Sequence, residues 1–160
     1  MNASEDFYTT LLVGNIGAGK TTLRQQLLGQ PVDYAKTQTT IVDSWLVDSP
    51  GEYLEHGRMR FALQLVSYDV EKVLLVVDAS DDQIRMPPGI STFFNKPTLG
   101  VLTHIDLANE AQIAAARAKL EQAGAEEIFE VDALHGQGVN ELREALKRTN
   151  SADSQLAVTS

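Results

Sequence analysis

The sequence predicts an α/β fold, a mainly parallel sheet with helices on both faces. Short apolar runs alternate with segments of helical spacing along most of the chain. One run, Val73-Leu74-Leu75-Val76-Val77, is continuous and aliphatic, as in a strand covered on both sides. Stretches rich in Gly, Thr and Asp come directly after these runs. In such folds ligands bind beyond the carboxyl ends of the strands.

Phe7 to Val13 reads as the first buried strand. Thr21 to Leu28 places Leu23, Leu27 and Leu28 at helical spacing, and Gly29 and Pro31 stop that helix. Val32 to Thr40 is polar and reads as a loop. Ile41 to Val47 is extended and holds the single Trp, before the turn Asp48-Ser49-Pro50-Gly51. Glu55 to Tyr68 puts Phe61, Ala62, Leu65 and Val66 on one helical face. Ala79 to Lys96, broken by Pro87-Pro88-Gly89, predicts a loop with at most a short helix. Thr98 to Leu102 is a further strand. Asn109 and Gln112 form a capping-box pattern opening a helix that Gly124 closes. Ile128 to Val131 is the last strand, and Val139, Leu142 and Leu146 mark a helix to about Arg148. The domain is expected over residues 1–149, with the polar stretch Asn150 to Ser160 fraying as a tail.

The bulk numbers narrow the function. A length of 160 residues suits one domain with a real core. A net charge of −9, without clustered Lys or Arg, argues against a nucleic-acid surface. With no cysteine there is neither a disulfide framework nor thiolate chemistry. The acidic amino terminus does not resemble a signal peptide, and no apolar run is long enough to span a membrane. A cytoplasmic location is the expectation.

Chemistry centres on Gly14-Asn15-Ile16-Gly17-Ala18-Gly19-Lys20-Thr21, of the form G-x-x-x-x-G-K-T, followed by Thr22. Glycines let successive N–H groups converge on a phosphate at a helix N-terminus. Lys20 would reach the outer phosphates and the Thr21 hydroxyl would bind Mg²⁺. Asp48 to Gly51 fits D-x-x-G. Asp48 would hold Mg²⁺, through water, and the Gly51 N–H would face the γ-phosphate. Thr39 or Thr40 would close the metal shell, and the sequence leaves both open. Glu52, beside Gly51, is a candidate base or water-orienting group. His56 and Arg58 read as a solvated helix start, His135 as a loop residue. Thr103-His104-Ile105-Asp106 stands where a base-reading motif would lie, with the Asp106 carboxylate accepting from two guanine donors. Ala133 would offer its N–H to the base carbonyl.

Together these positions resemble the Ras-like GTPases, and within them the EutP/PduV family. The stretches that carry this likeness are Gly14 to Thr22, Lys36-Thr37-Gln38-Thr39, Asp48-Ser49-Pro50-Gly51-Glu52-Tyr53 with His56 and Arg58, Arg85 with Pro87-Pro88-Gly89, and Gly100 to Asp106. The last two look closer to the propanediol branch. The resemblance implies a Ras-like P-loop NTPase using Mg²⁺ and GTP or GDP. It also implies work at or near a bacterial microcompartment, with a shell or cytoskeletal protein as candidate partner. His104 stands in place of the family's usual Lys, so ATP stays open beside GTP. Three activities follow: a slowly hydrolysing GTP-binding protein, an acetate or propionate kinase-type phosphotransferase using ATP, and a nucleotide-gated adaptor with little turnover.

Overall fold

The apolar runs assemble into one sheet, and strand alternation sends their side chains to two cores. A computed structural model describes residues 3–31 and 40–149. In chain order its elements are β1 (Thr10–Gly14), α1 (Lys20–Leu27), β2 (Ile41–Asp43), β3 (Leu46–Asp48), α2 (Glu52–Glu55) and α3 (Gly57–Ser67). There follow β4 (Lys72–Asp78), α4 (Ile90–Phe94), β5 (Thr98–Thr103), α5 (Glu110–Ala123), β6 (Ile128–Glu130) and α6 (Val139–Leu146). The strand order is β2-β3-β1-β4-β5-β6, and among the described strands only the β2–β3 pair is antiparallel. The parallel α/β architecture is therefore as the alternation predicts.

On one face Leu11, Val13, Val73, Leu75 and Val77 pack with Leu63 of α3, Phe94 of α4 and Leu120 of α5. On the other, Leu12, Leu74, Val76 and Val101 meet Leu23 and Leu27 of α1 and Leu142 and Leu146 of α6. Burying each such side chain contributes about 1.5–3 kcal/mol. The helix ends also follow local chemistry. Asn109 and Gln112 exchange both hydrogen bonds of the capping box, at 2.8 and 2.9 Å. Gly124 ends α5 in the left-handed region at φ 102°.

Three local expectations are corrected. Ile41 to Val47 is not one extended segment but a hairpin, with Val42 opposite Val47 across a two-residue turn. Ser44 turns the chain at φ 58°, a conformation that the sequence pattern does not announce. Phe7 lies ahead of β1 rather than in it, bridging to Lys147 and stacking on Trp45 with centroids 4.2 Å apart. The helix expected over Glu55 to Tyr68 breaks at His56, which is extended at φ −110°, ψ 121°. Its buried face holds Leu63 and Ser67, whereas Phe61 and Leu65 are exposed. Ala62 and Val66 of the predicted face are half-buried, Val66 against the core, so the buried stripe is rotated from the predicted one rather than opposite to it. The polar loop up to Thr39, including Lys36 to Thr39, and the tail from Asn150 lie outside the described residues.

The two aromatic surfaces should respond oppositely to truncation. Trp45→Ala, which empties a buried stack, should cost about 3–5 kcal/mol in urea unfolding. Phe61→Ala should stay within about 0.5 kcal/mol of wild type, as exposed positions do.

Candidate functional site

The phosphate-type loop begins where β1 must end. A Cβ on Gly14 would stand 2.5 Å from the Val76 carbonyl oxygen, so a side chain there would break the β1–β4 contact. The chain then turns back on itself, with the Ala18 N–H donating to the Asn15 carbonyl at 3.1 Å. Gly19, left-handed at φ 90°, delivers Lys20 as the first residue of α1. Ile16 and Gly17 are exposed, while Ala18 and Lys20 are buried. Among the described residues, side-chain hydrogen bonds from Thr103 and Asn15 tie the loop to its surroundings. Thr103 Oγ1 donates to the Ala18 carbonyl at 2.7 Å, and Asn15 Nδ2 donates to the Arg85 carbonyl at 3.2 Å. The second ties the loop to the stretch that ends in Pro87-Pro88-Gly89.

Lys20 folds back over this loop, its Nζ donating to the Asn15 carbonyl at 3.4 Å. Burial pulls its pKa below the usual lysine value, and Asp48, Glu52 and Glu55 partly restore it. The sign matters for stability. A base whose folded pKa is lowered makes the protonated folded state less favourable, and stability rises with pH only between the lowered value and 10.5. Below the lowered value the native chain carries the full burden of a buried cation, which an anionic ligand would relieve.

Thr21 and Thr22, both half-buried, follow Lys20 in the first turn of α1, and Asp48 is wholly buried at the end of β3. The register places Asp48 opposite Leu12 of β1, so the sheet itself sets its position. A hydroxyl and a carboxylate are the hard oxygen donors that Mg²⁺ prefers, so these residues fit that ion. Thr40, half-buried just before β2, is the one described candidate for closing the shell, since Thr39 lies outside the described residues. Arg24, one turn along α1, was missed from sequence: its Nε sits 3.7 Å from Asp48 Oδ2. An arginine within an otherwise ordinary helix gives no signal of facing inward.

Gly51 shows why glycine is needed in D-x-x-G. A Cβ there would lie 2.4 Å from Ile16 N and 2.7 Å from Ile16 Cα. The turn after β3 therefore rests directly on the phosphate-type loop. Glu52 is half-buried at the start of α2, within electrostatic reach of Lys20. His56 and Arg58 are exposed at the start of α3.

Beyond the loop a cavity of about 350 Å³ is lined by Gly17, Gly19 and Thr22 on one side and by His104, Asp106 and Ala133 on another. All four candidate base-side residues border it, though Thr103 turns its hydroxyl to the loop. Asp106 is exposed on a single 3-10 turn, Ile105–Leu107, and Ala133 is buried after β6. His104 takes a left-handed φ of 55° and sets Nδ1 3.0 Å from Asp78 Oδ2 at the end of β4. The sequence reading of His135 as a plain loop residue missed its contact with Asp132, where Nδ1 and Oδ2 are 2.5 Å apart. The i, i+3 spacing was visible, but not the turn that brings the two together.

A mostly parallel sheet with a glycine loop feeding a helix, an acidic D-x-x-G turn resting on that loop and a cavity beside it define a GTPase-like P-loop fold. The G-domain of FeoB from Methanococcus jannaschii superposes with a TM-score of 0.63 over 86% of this chain and 94% of that one, at 24% identity. The chain belongs to the ethanolamine utilisation–propanediol utilisation family, whose model matches residues 8–148. Propanediol utilization protein PduV of Citrobacter freundii is 34% identical over 132 residues, covering 82% of this chain and 88% of that protein. A protein of Escherichia coli K12 named probable acetate kinase EutP is 36% identical over 133 residues, covering 81% and 83%. Among the described residues no helix is long and apolar enough to cross a membrane.

The buried lysine makes a two-sided prediction. Lys20→Met should lower nucleoside triphosphate affinity by about 100-fold, the loss of a charge-assisted contact. In the ligand-free chain the same change should leave the thermal midpoint at or a few degrees above wild type. Fluorescent-nucleotide titration and calorimetry read the two effects separately.

Proposed function

We propose that this protein binds GTP with Mg²⁺ and hydrolyses it slowly, using its two γ-phosphate-facing segments as a switch. The observation that carries the reading is the continuity of the site. One cavity runs from the glycines of the loop to Asp106 and Ala133, and Thr103 braces the two ends. The loop N–H groups from Gly14 to Thr22 would hold the phosphates at the start of α1, with Lys20 leaving the Asn15 carbonyl for the β- and γ-oxygens. Thr21, Asp48 and a threonine of the preceding loop, Thr39 or Thr40, would hold Mg²⁺, which spreads the charge of the transferred phosphoryl group. Gly51 would sense the γ-phosphate through its N–H, and its close packing on Ile16 would transmit that contact to α2.

Glu52 is the candidate for orienting or deprotonating the attacking water. Its nearness to Lys20 screens a carboxylate that would otherwise be repelled by phosphate. Asp106 would accept the guanine N1–H and 2-amino donors, and the Ala133 N–H would meet the O6 carbonyl. Adenine offers no such pair of donors, and an unsatisfied carboxylate costs about 1–3 kcal/mol. The setting would be the cytoplasm at the surface of a microcompartment for propanediol or ethanolamine utilisation, with a shell or cytoskeletal protein as partner.

A second reading is favoured by the relative named as a probable acetate kinase. There the γ-phosphoryl of ATP passes to a carboxylate oxygen of a short acid, giving an acyl phosphate and ADP, with Glu52 or Arg58 at the acceptor side. Formation of acetyl or propionyl phosphate above background with saturating ATP would favour that chemistry over hydrolysis.

Asp106→Ala separates the bases. GTP affinity should fall by about 10- to 100-fold while ATP affinity changes little. Equal losses for both nucleotides, or none for GTP, would remove Asp106 from base recognition.

A further inference from the structure

The base end of the cavity carries more charge than one base-reading carboxylate requires. Asp132, 6% exposed, lines the same cavity as Asp106, and the exposed His135 contacts Asp132. One oxygen or nitrogen of each of Asp106, Asp132 and His135 lies within 4.8 Å of the others. Both oxygens of Asp132 are engaged by His135. Oδ1 accepts its backbone N–H at 3.3 Å, and Oδ2 meets Nδ1 at 2.5 Å. Two bare carboxylates this close disfavour one another's ionisation, and an imidazolium between them restores a single net negative charge.

We propose that the Asp132–His135 pair sets base specificity: with His135 protonated it masks Asp132 and favours guanine, and without that proton it admits adenine. This rests on the base-pocket reading of Asp106 above. Guanine presents an acceptor, O6, where adenine presents a 6-amino donor. A masked Asp132 leaves the Ala133 N–H as the group that meets O6. An unmasked carboxylate repels the O6 lone pairs and attracts the adenine amine. His135 is a positioning residue in this scheme, acting on the base through Asp132.

The charged groups facing His135 are Asp132, from its own loop, and Asp106, from the turn after β5. The hydrogen bond that His135 donates to Asp132, then the charges of Asp132 and Asp106, raise the His135 pKa above the usual 6.5. The pocket thus favours guanine below the raised value and loses that preference as pH climbs through it.

The test measures affinities for fluorescent GDP and ADP between about pH 6 and pH 9, using wild type, His135→Gln and Asp132→Asn. In wild type the GDP-to-ADP affinity ratio should fall by about fivefold or more across this range, the scale of one nearby charge. His135→Gln keeps a hydrogen-bond donor without the charge, so its ratio should be low and flat. Asp132→Asn removes the second carboxylate, and its ratio should be high and flat. A merely structural role would move both variants the same way. A flat wild-type ratio, or a pH response that survives in His135→Gln, overturns the proposal while leaving GTP recognition by Asp106 intact. Absence of nucleotide binding at every pH overturns both.

Discussion

The hydrogen bond from Thr103 to the Ala18 carbonyl joins two parts of the chain 85 residues apart, and the rest of the site depends on it. It is buried, so losing it would leave a loop carbonyl without a partner and cost about 1–3 kcal/mol. Its more specific effect is geometric. It fixes the glycine loop, which would recognise phosphate, against the end of β5, from which Asp106 projects. The parallel register of β1, β4 and β5 brings these ends together, and the contact then locks their separation. A ligand with phosphates at one end and a base at the other meets a preset spacing, which reduces the ordering cost of binding.

Around that brace the charges are distributed unevenly for a chain of net charge −9. Lys20 and Arg24 are both buried at the start of α1, against Asp48. Concentrating positive potential there would let an acidic protein receive a polyanion, since most of its surface would repel one. Stability held back by burying Lys20 would follow from a site suited to an anionic ligand rather than to the empty chain. Gly51 adds the mechanical element. Its backbone leaves no room for a Cβ beside Ile16, so a shift in the loop would be passed to the turn after β3 and on to α2.

The sheet and its order of elements were legible because two-sided burial leaves uninterrupted aliphatic runs, as at Val73 to Val77. The α5 boundaries were legible because Asn109, Gln112 and Gly124 act locally. The hairpin at Ser44 was not, because a left-handed serine is permitted by its partners rather than favoured by its own chemistry. The face of α3 was misjudged for a related reason, since Phe61 and Leu65 have helical spacing without being covered. At the site, the glycine loop, Asp48 and Asp106 stand in recognisable patterns. Arg24 and the Asp132–His135 pair carry no such pattern, and only tertiary packing reveals what they face.

The central claim is that one nucleotide is gripped at both ends of the cavity, by the loop and by the base pocket. Amide hydrogen exchange in the presence of Mg²⁺ with GDP or with ADP addresses it most directly. The account predicts that GDP protects the amides from Asn15 to Thr21 together with that of Ala133. ADP should protect the loop amides more weakly and leave Ala133 unprotected at neutral pH. Protection confined to the loop, and equal for the two nucleotides, would contradict it.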